Sequence, residues 1–321
     1  MDRSYSGLLA ILLYCLSAGL SGIWVFFDLS HTAVNIWALA FVIFLVASLF
    51  FWVAQVMQGI SLFRLIRTCP KTVLKLNILT LITWIAMFAA ILIAEASFES
   101  AVCQAWVPIT VLTCDVFAHQ ARWKSLRTVG VLCIAVSLLM LVVVRVLSDE
   151  CLISFNHLRQ GIVLATLAGL ASGLYMFQSA RLHHAIGCTI LDVLSTRFIL
   201  LLIVTAVLGR EDIMHLLAND GMLIGQLVLL AIFSVILPAL TFQHALAKLG
   251  DARVSLITPL VPVLSLIAEL VLGHWQGMTI PILITITCVA VCFANLSLQQ
   301  SKSTAMRCKY VLNDAECDNA K

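Results

Sequence analysis

The chain has 321 residues, of which 62% are hydrophobic and 11% are charged, and its mean hydropathy is +1.08. A soluble domain carries roughly 25% charged residues and needs polar groups to cover its exterior, so the composition excludes a water-soluble globular fold. The formal net charge is only +3, and the basic residues are spread over many short loops. This pattern argues against a nucleic-acid-binding surface.

Ten long apolar runs dominate the sequence. Each run has the length of a helix that crosses a bilayer, about 20 residues, and each is continuously apolar, which is typical of helices and not of barrel strands. The remaining loops are short, so we expect no soluble catalytic domain. The predicted spans are 7–27, 33–55, 73–94, 98–116, 128–147, 160–180, 187–208, 221–243, 254–272 and 279–298.

Basic residues orient these spans, because Lys and Arg are enriched in short cytoplasmic loops. With a cytoplasmic N-terminus, fifteen of the nineteen basic residues fall on the cytoplasmic side. Arg145, Arg159 and Arg210 fall on the opposite side, and Arg197 falls within a span. The sequence therefore predicts a multi-pass protein of the plasma or inner membrane with both termini in the cytoplasm.

The two halves of the chain match each other at an offset of 154 residues. The matching positions are Gly7 with Gly161, Gly19-Leu20 with Gly173-Leu174, Val107-Pro108 with Val261-Pro262, and Asp115 with Glu269. Because each half contains five spans, an odd number, the second half must enter the membrane in the opposite orientation. Inverted repeats of this kind are typical of carriers, with the substrate near the bilayer midplane and alternating access between the halves.

The predicted fold is an all-α integral membrane protein of ten transmembrane helices, arranged as two inverted five-helix repeats. The first repeat covers 1–150 and the second covers 155–300. Residues 301–321 are polar and are predicted to form a cytoplasmic tail.

Segments in both halves resemble a known family. Each half begins with a Gly- and Ser-rich helix, and the segments 245–252 (ALAKLGDA) and 255–262 (SLITPLVP) have a weaker counterpart in 101–108. These residues resemble the EamA-type branch of the drug/metabolite transporter superfamily over 7–298. The resemblance implies ten helices, inverted repeats and secondary transport, often export of amino acids, other metabolites or toxic compounds.

Arg197 is the charge that lies deepest in a predicted span. Counted from Cys188 at 1.5 Å per residue, it lies roughly 13 Å into the membrane, where a charge costs on the order of 3 kcal/mol. Two interpretations are open. Arg197 faces a central cavity and binds an anionic substrate group or a movable carboxylate, or it forms a fixed ion pair with Asp192 or with an acid of another helix. Asp192 is accordingly a candidate coupling residue.

Acids and prolines within the spans are further candidates for coupling and hinge motion. Glu269 and Asp115 each follow a proline by seven residues, and a buried carboxyl there would be a proton-coupling site, with interfacial solvation as the alternative. Prolines inside helices remove backbone hydrogen bonds. Pro108, Pro259 and Pro262 are therefore candidate hinges, with static kinks as the alternative.

Four aromatic and amide side chains complete the predicted substrate site with Arg197. They are Tyr14, Trp84, Tyr175 and Gln178. For the aromatic residues the alternative is the belt that such side chains form at membrane surfaces, but Tyr14 and Trp84 lie deeper than that belt.

The sequence contains no Ser-His-Asp set, phosphate loop, HExxH motif or CxxC pair, so we expect neither an enzyme nor a metal or cofactor site. It predicts a secondary transporter that exports a small polar metabolite, an amino acid or a related compound, by alternating access. Proton coupling is left open, and the direction of transport comes from the resemblance alone. The alternatives are a nucleotide-sugar or phosphometabolite exchanger and a non-transporting membrane sensor or assembly protein. The expected partners are a small-molecule substrate and the lipid bilayer, with a homodimer left open.

Overall fold

The computed structural model describes residues 3–31, 35–61, 63–94, 96–118, 125–147, 155–219, 221–271 and 281–298, although not every side chain within them. These residues form helices joined by short connections. The helices are α1 (Arg3–His31), α2 (Ile36–Met57), α3 (Arg64–Thr68), α4 (Pro70–Ala94), α5 (Ala96–Phe117), α6 (Leu126–Leu147), α7 (Phe155–Ala185), α8 (Ile190–Arg197), α9 (Ile199–Leu208), α10 (Arg210–Asn219), α11 (Gly221–Ala231), α12 (Leu237–Leu249), α13 (Asp251–Ile257), α14 (Leu260–Val271) and α15 (Pro281–Leu298).

Nine helices in the described residues are long and apolar enough to cross a membrane. They coincide with the second to tenth predicted spans; α8 with α9, α11 with α12, and α13 with α14 each supply one of them. The first predicted span, 7–27, lies within the 29-residue helix α1, which is counted as a shorter apolar helix over Tyr5–Ser21. The total of ten spans therefore stays a prediction. The predicted tail, 301–321, lies outside the described residues.

Local sequence signals explain where several helices begin. Asn35 caps α2 by accepting a hydrogen bond from the Trp37 backbone N–H, and Thr189 forms a reciprocal capping box with Asp192 at the start of α8. Such caps satisfy backbone donors that have no partner within the helix. Gly250 alone connects α12 to α13, with a φ of 80° that side-chain-bearing residues rarely adopt.

Packing crosses between the two halves of the chain. Helix α7 lies against α4 and α5, α1 lies against α12 and α14, and α2 packs against α8, α9 and α11. Large side chains such as Phe44, Phe51 and Phe198 are fully buried in the last of these contacts. The folded bundle thus depends on contacts between the halves rather than on two separate cores.

Contacts between the halves recur at the offset of 154 that the sequence shows. A Cβ atom added to Gly19 would lie 3.1 Å from the Val261 carbonyl oxygen, and one added to Gly173 would lie 3.0 Å from the Val107 carbonyl oxygen. Adding 154 to Gly19 gives Gly173, and adding 154 to Val107 gives Val261. Two further pairs of contacts obey the same relation. The contact of Cys15 with Ile257 corresponds to that of Gly169 with Cys103. The contact of Gln55 with Asp192 corresponds to that of Gly209 with Ala38.

Most described basic side chains gather at one end of the bundle, which we call the basic end. There the first turns of α1 lie beside the last turns of α12, with Ser6 Oγ 2.8 Å from His244 Nε2. Arg159 and Arg210 lie at the opposite end, at the starts of α7 and α10. The members of the basic end are Arg64, Arg67, Lys71, Lys75, Arg127, Arg181, Lys248 and Arg253.

The close approach at Gly169 yields a prediction about stability. A Cβ atom there would lie 2.4 Å from the backbone carbonyl oxygen of Cys103, a distance that requires α7 and α5 to move apart. We expect Gly169→Ala to lower the free energy of unfolding by about 1–3 kcal/mol, the usual cost of overpacking. The measurement is thermal unfolding of the purified protein in detergent.

Gly225→Ala is the matched control, because Gly225 also lies inside a helix but has no atom within 4 Å of its added Cβ. We expect this variant to gain up to about 1 kcal/mol from helix propensity. Equal unfolding temperatures for the two variants would contradict the close packing of α7 on α5.

Candidate substrate cavity

A cavity of about 140 Å³ lies between the two halves, bordered by α1, α4 and α5 of the first half and by α7, α8, α12 and α14 of the second. Pockets for drug-sized ligands span roughly 300–1,000 Å³, so this one fits a smaller metabolite. Its wall contains one basic and one acidic side chain, Arg197 and Glu99. The other polar and aromatic residues of the wall are Tyr14, Ser21, Thr83, Trp84, Phe88, Ser100, Cys103, Gln104, Ser172, Tyr175, Ser234, Phe242 and Ser265.

Arg197, predicted as the central binding residue, lines this cavity and is only 8% exposed. Its guanidinium carbon lies 4.1 Å from the ring centroid of Tyr175 and 5.2 Å from that of Phe198. Such cation–π contacts contribute up to about 2 kcal/mol, which is less than the several kcal/mol that desolvating an ion costs. Its Nε has no hydrogen-bond partner, and no acid among the described residues lies within ion-pair distance. The cavity therefore holds a cation whose positive charge is available to a ligand.

Asp192, which the sequence offers as a fixed partner of Arg197, is engaged elsewhere. Its Oδ2 accepts hydrogen bonds from the backbone N–H and the hydroxyl of Thr189, both at 2.9 Å. Its Oδ1 accepts a hydrogen bond from Nε2 of Gln55 at 3.1 Å. Asp192 thus caps α8 and connects it to α2, at a distance from the guanidinium.

A break in the helix at Phe198 places Arg197 in the cavity wall. Helix α8 ends at Arg197 and α9 begins one residue after Phe198. The side chain of Asn77, from α4, enters the break: its Nδ2 donates to the Thr196 carbonyl at 2.7 Å, and its Oδ1 accepts from the Leu200 N–H at 3.0 Å. Those two backbone groups would bond each other in a continuous helix. A side chain inserted into the helical ladder is a recognised cause of a kink.

Helix α2 satisfies a third backbone group at the same break. The indole Nε1 of Trp52 donates to the Ser195 carbonyl at 2.7 Å. An unpaired carbonyl at membrane depth would cost several kcal/mol. Side chains from α2 and α4 therefore stabilise the interrupted form of this span.

Glu99 is the functional candidate that the sequence analysis missed. It is 3% exposed, it lines the cavity, and its Oε1 has no hydrogen-bond partner among the described residues, while the Cys103 thiol lies within hydrogen-bonding reach of the carboxyl group. The predicted span begins at residue 98, which places Glu99 at a hydrated membrane surface. Helix α5 begins at Ala96 and its apolar span begins at Phe98, as predicted, so the burial of Glu99 comes from the helices packed around it and not from its depth along the span. The available signal was the spacing of four residues between Glu99 and Cys103, which puts both on one helix face.

The predicted aromatic residues all lie in the cavity wall. The Tyr14 ring lies 4.9 Å from that of Phe242, and Trp84 packs at 4.8 Å from Phe44 and 5.6 Å from Phe88, measured between ring centroids. The Trp84 indole N–H has no partner within the described residues. Five of the nine residues with such an unpaired buried atom line the cavity: Thr83, Trp84, Glu99, Gln104 and Arg197. Unpaired polar groups concentrated in one cavity indicate a ligand site.

Gln178, the fourth predicted binding residue beside Arg197, is half-buried on α7 and is not part of the cavity wall. A different glutamine, Gln243, contacts the cavity residue Tyr175. Its Nε2 donates to the Tyr175 hydroxyl at 2.6 Å, and its Oε1 accepts from Ser179 Oγ at 2.9 Å and lies 2.9 Å from His183 Nε2. This buried chain of hydrogen bonds connects Tyr175 to the end of α7.

The predicted coupling acids lie outside the cavity wall where they are described. Asp115 forms an ion pair with Arg127 at 2.7 Å near the basic end, and both side chains are less than 10% exposed. This buried pair connects the end of α5 to the start of α6. The side chain of Glu269 lies outside the described residues.

The predicted hinge prolines occupy two kinds of position. Pro108 lies inside the continuous helix α5, whereas Pro259 falls in the break between α13 and α14, and Pro262 follows in the first turn of α14. Pro238 follows a π-helical turn, Ile232–Ile236, and lines the cavity. The seventh, eighth and ninth predicted spans are therefore all irregular where they approach the cavity.

Comparisons with known proteins bear on the fold alone. No family model matches the sequence, and no curated protein matches it. The structure resembles 28 chains of solved structures. One of them, described only as a crystal structure of a protein, has a TM-score of 0.63 and 17% sequence identity, and the match covers 92% of this chain and 96% of that one. The fold is therefore one that has been observed before.

The bridge at Asn77 yields a second prediction. We expect Asn77→Leu to lower the free energy of unfolding by about 2–6 kcal/mol, because it leaves the Thr196 carbonyl and the Leu200 N–H unpaired at about 1–3 kcal/mol each. Thermal unfolding in detergent measures the loss.

Thr80→Val is the matched control on the same helix. Thr80 is fully buried like Asn77, but its hydroxyl has no partner in the described residues, so its removal should change stability by less than about 1 kcal/mol. A large loss in the control, or none in Asn77→Leu, would contradict the bridging role.

Proposed function

We propose that the protein is a secondary carrier with ten spans in two inverted repeats, which exports a small zwitterionic metabolite, an amino acid or a related compound, across the plasma or inner membrane by alternating access. It is not proposed to be an enzyme. The observation that carries this proposal is that a buried basic residue, Arg197, and a buried acidic residue, Glu99, both line one small cavity. A zwitterion supplies a carboxylate for the guanidinium and an ammonium group for the carboxylate.

The apolar part of the cavity supports the same class of substrate. Trp84, Phe88 and Met87 contribute uncharged surface beside the two charges. The unpaired atoms of Thr83 and Gln104 supply further hydrogen-bonding groups. A small molecule with two charges and a short side chain satisfies these groups together.

Interrupted helices support transport rather than static binding. The break at Phe198, the π-helical turn before Pro238 and the break at Pro259 all lie close to the cavity. Discontinuous helices at the substrate site are typical of secondary transporters. The contacts that recur at an offset of 154 support two related halves that can exchange conformations. In alternating access, this exchange converts a cavity open to one side of the membrane into a cavity open to the other side.

An exchanger of nucleotide sugars or phosphorylated metabolites is less well supported. Such a substrate calls for more than one basic residue, whereas Arg197 is the only cation that the described cavity wall contains. Glu99, in the same wall, would repel a phosphate group.

Proton coupling remains part of the proposal, and Glu99 is its best-placed group among the described acids. Asp115 already pairs with Arg127, whereas Glu99 shares the cavity with the substrate. A flux that does not change when a proton gradient is imposed across proteoliposomes would contradict coupling.

The third prediction concerns flux through purified protein in proteoliposomes, measured with a panel of radiolabelled amino acids. We expect Arg197→Ala and Glu99→Gln each to reduce flux at low substrate concentration roughly 30-fold, because an interaction with a buried charge is worth about 2 kcal/mol or more. Competition by modified substrates identifies which charged group of the substrate each residue binds. The methyl ester of the best substrate should compete poorly in wild type, and the Arg197→Ala variant should no longer distinguish it from the free acid.

Arg159→Ala is the control for removing a positive charge outside the cavity. Thr80→Val is the control for a change on a helix that borders the cavity. Both variants should retain flux. The absence of flux for every compound in the panel, from protein that unfolds cooperatively, would contradict the carrier and favour a sensor or assembly role. Unchanged flux in both cavity variants would place the site elsewhere.

A further inference from the structure

A groove on the outside of the bundle lies between α1, the α13–α14 segment and α15, at the basic end. Its volume is about 440 Å³, and its surface is formed by side chains from all three segments. It is separate from the central cavity and shares no lining residue with it. The groove opens toward the surroundings of the helices, since Leu8 and Leu12 on its wall are 41% and 44% exposed.

The groove is polar at one end and apolar along the rest. At the basic end, Tyr5 and Arg253 lie in the first turns of α1 and α13, and Asn295 lies in the last turn of α15. Leu8 and Leu12 lie one and two turns farther from that end along α1. Ile257 and Leu260 continue the apolar surface in the same direction. A molecule that fits this groove has a polar head and a long apolar tail, and it lies parallel to the helices.

The charge at the head of the groove is positive and available. Arg253 is half-buried and forms no ion pair with any acid of the described residues. The Asn295 side chain donates to the Val291 carbonyl at 3.0 Å, which leaves its amide oxygen free to accept a hydrogen bond. A phosphate can pair with the guanidinium of Arg253. Hydroxyl groups of an alcohol esterified to that phosphate can donate hydrogen bonds to the amide oxygen of Asn295.

We propose that this groove binds an anionic phospholipid of the leaflet at the basic end, with the phosphate on Arg253 and an acyl chain along Leu8, Leu12 and Leu260. Anionic headgroups are recognised by basic residues at the ends of membrane-spanning helices, and the apolar surface beyond Arg253 has the depth that an acyl chain occupies. The site does not depend on the proposed transport activity.

The test uses the full-length protein, purified in detergent, with three probes added separately: dioleoylphosphatidylglycerol, dioleoylphosphatidylcholine and glycerol 1-phosphate. We expect the anionic lipid to raise the unfolding temperature more than the zwitterionic lipid, and the soluble phosphate to have no effect. Arg253→Gln should weaken the apparent affinity for the anionic lipid about fivefold, the contribution of one basic residue near a charged headgroup. Arg253→Lys should retain most of that affinity, which separates the loss of charge from a folding defect.

Arg67→Gln is the matched control, because Arg67 is an exposed cation of the basic end outside the groove. It should leave the preference for anionic lipid unchanged. A phosphatidylglycerol with a photoreactive group in its acyl chain should label peptides containing Leu8–Leu12, and Leu12→Trp should reduce the labelling by filling the groove.

Three results would overturn the proposal. The first is an equal response to the two lipids in wild type. The second is an undiminished preference for the anionic lipid in Arg253→Gln. The third is stabilisation by glycerol 1-phosphate as strong as that by the lipid, which would make the site one for a soluble phosphate. None of these results bears on flux through the central cavity.

Discussion

The structure depends on one constraint: within a bilayer, every backbone N–H and carbonyl group needs a partner inside the protein. The seventh span violates the regular helical pattern at Phe198, and it is stable because Asn77 and Trp52 supply the missing partners from neighbouring helices. This exchange of partners fixes the position of Arg197. The position of the Arg197 charge in the cavity thus depends on two neutral side chains, neither of which lines the cavity.

The two halves share close contacts but differ in the principal polar residues at and around the cavity. Glycine and other small contacts recur at the offset of 154, because helices that cross closely need small residues at equivalent places. Four of these polar residues are replaced by residues of another type. The residues at the positions equivalent to Arg197, Asn77, Tyr175 and Glu99 are Ile43, Ala231, Ser21 and Arg253. Contacts that recur between the halves therefore accompany a cavity whose polar residues do not recur.

The positions of the spans and of Arg197 could be predicted from sequence because both follow from distance along a helix. Apolar runs define the spans, and depth within a run identifies a residue whose charge needs a polar neighbour. Glu99 and Asn77 could not be found in this way. The burial of Glu99 depends on the helices packed around the start of α5, and the role of Asn77 depends on contact with a helix more than a hundred residues away. Gln178 is a predicted binding residue, but Gln243 is the glutamine that contacts Tyr175. The sequence does not show this, because it depends on the packing of α12 on α7.

The hydrogen bonds of Gln243 have a consequence for His183. The amide oxygen of Gln243 faces His183 Nε2 at 2.9 Å, and the Cys188 carbonyl faces Nδ1 at 3.0 Å, so both ring nitrogens meet acceptors. A neutral ring whose Nδ1–H donates to the Cys188 carbonyl has an acceptor at Nε2. That tautomer requires the amide of Gln243 to be turned over, and Tyr175 then changes from acceptor to donor. The tautomer of a histidine near the basic end is thereby tied to the direction of the Tyr175 hydroxyl, on the ring that faces Arg197.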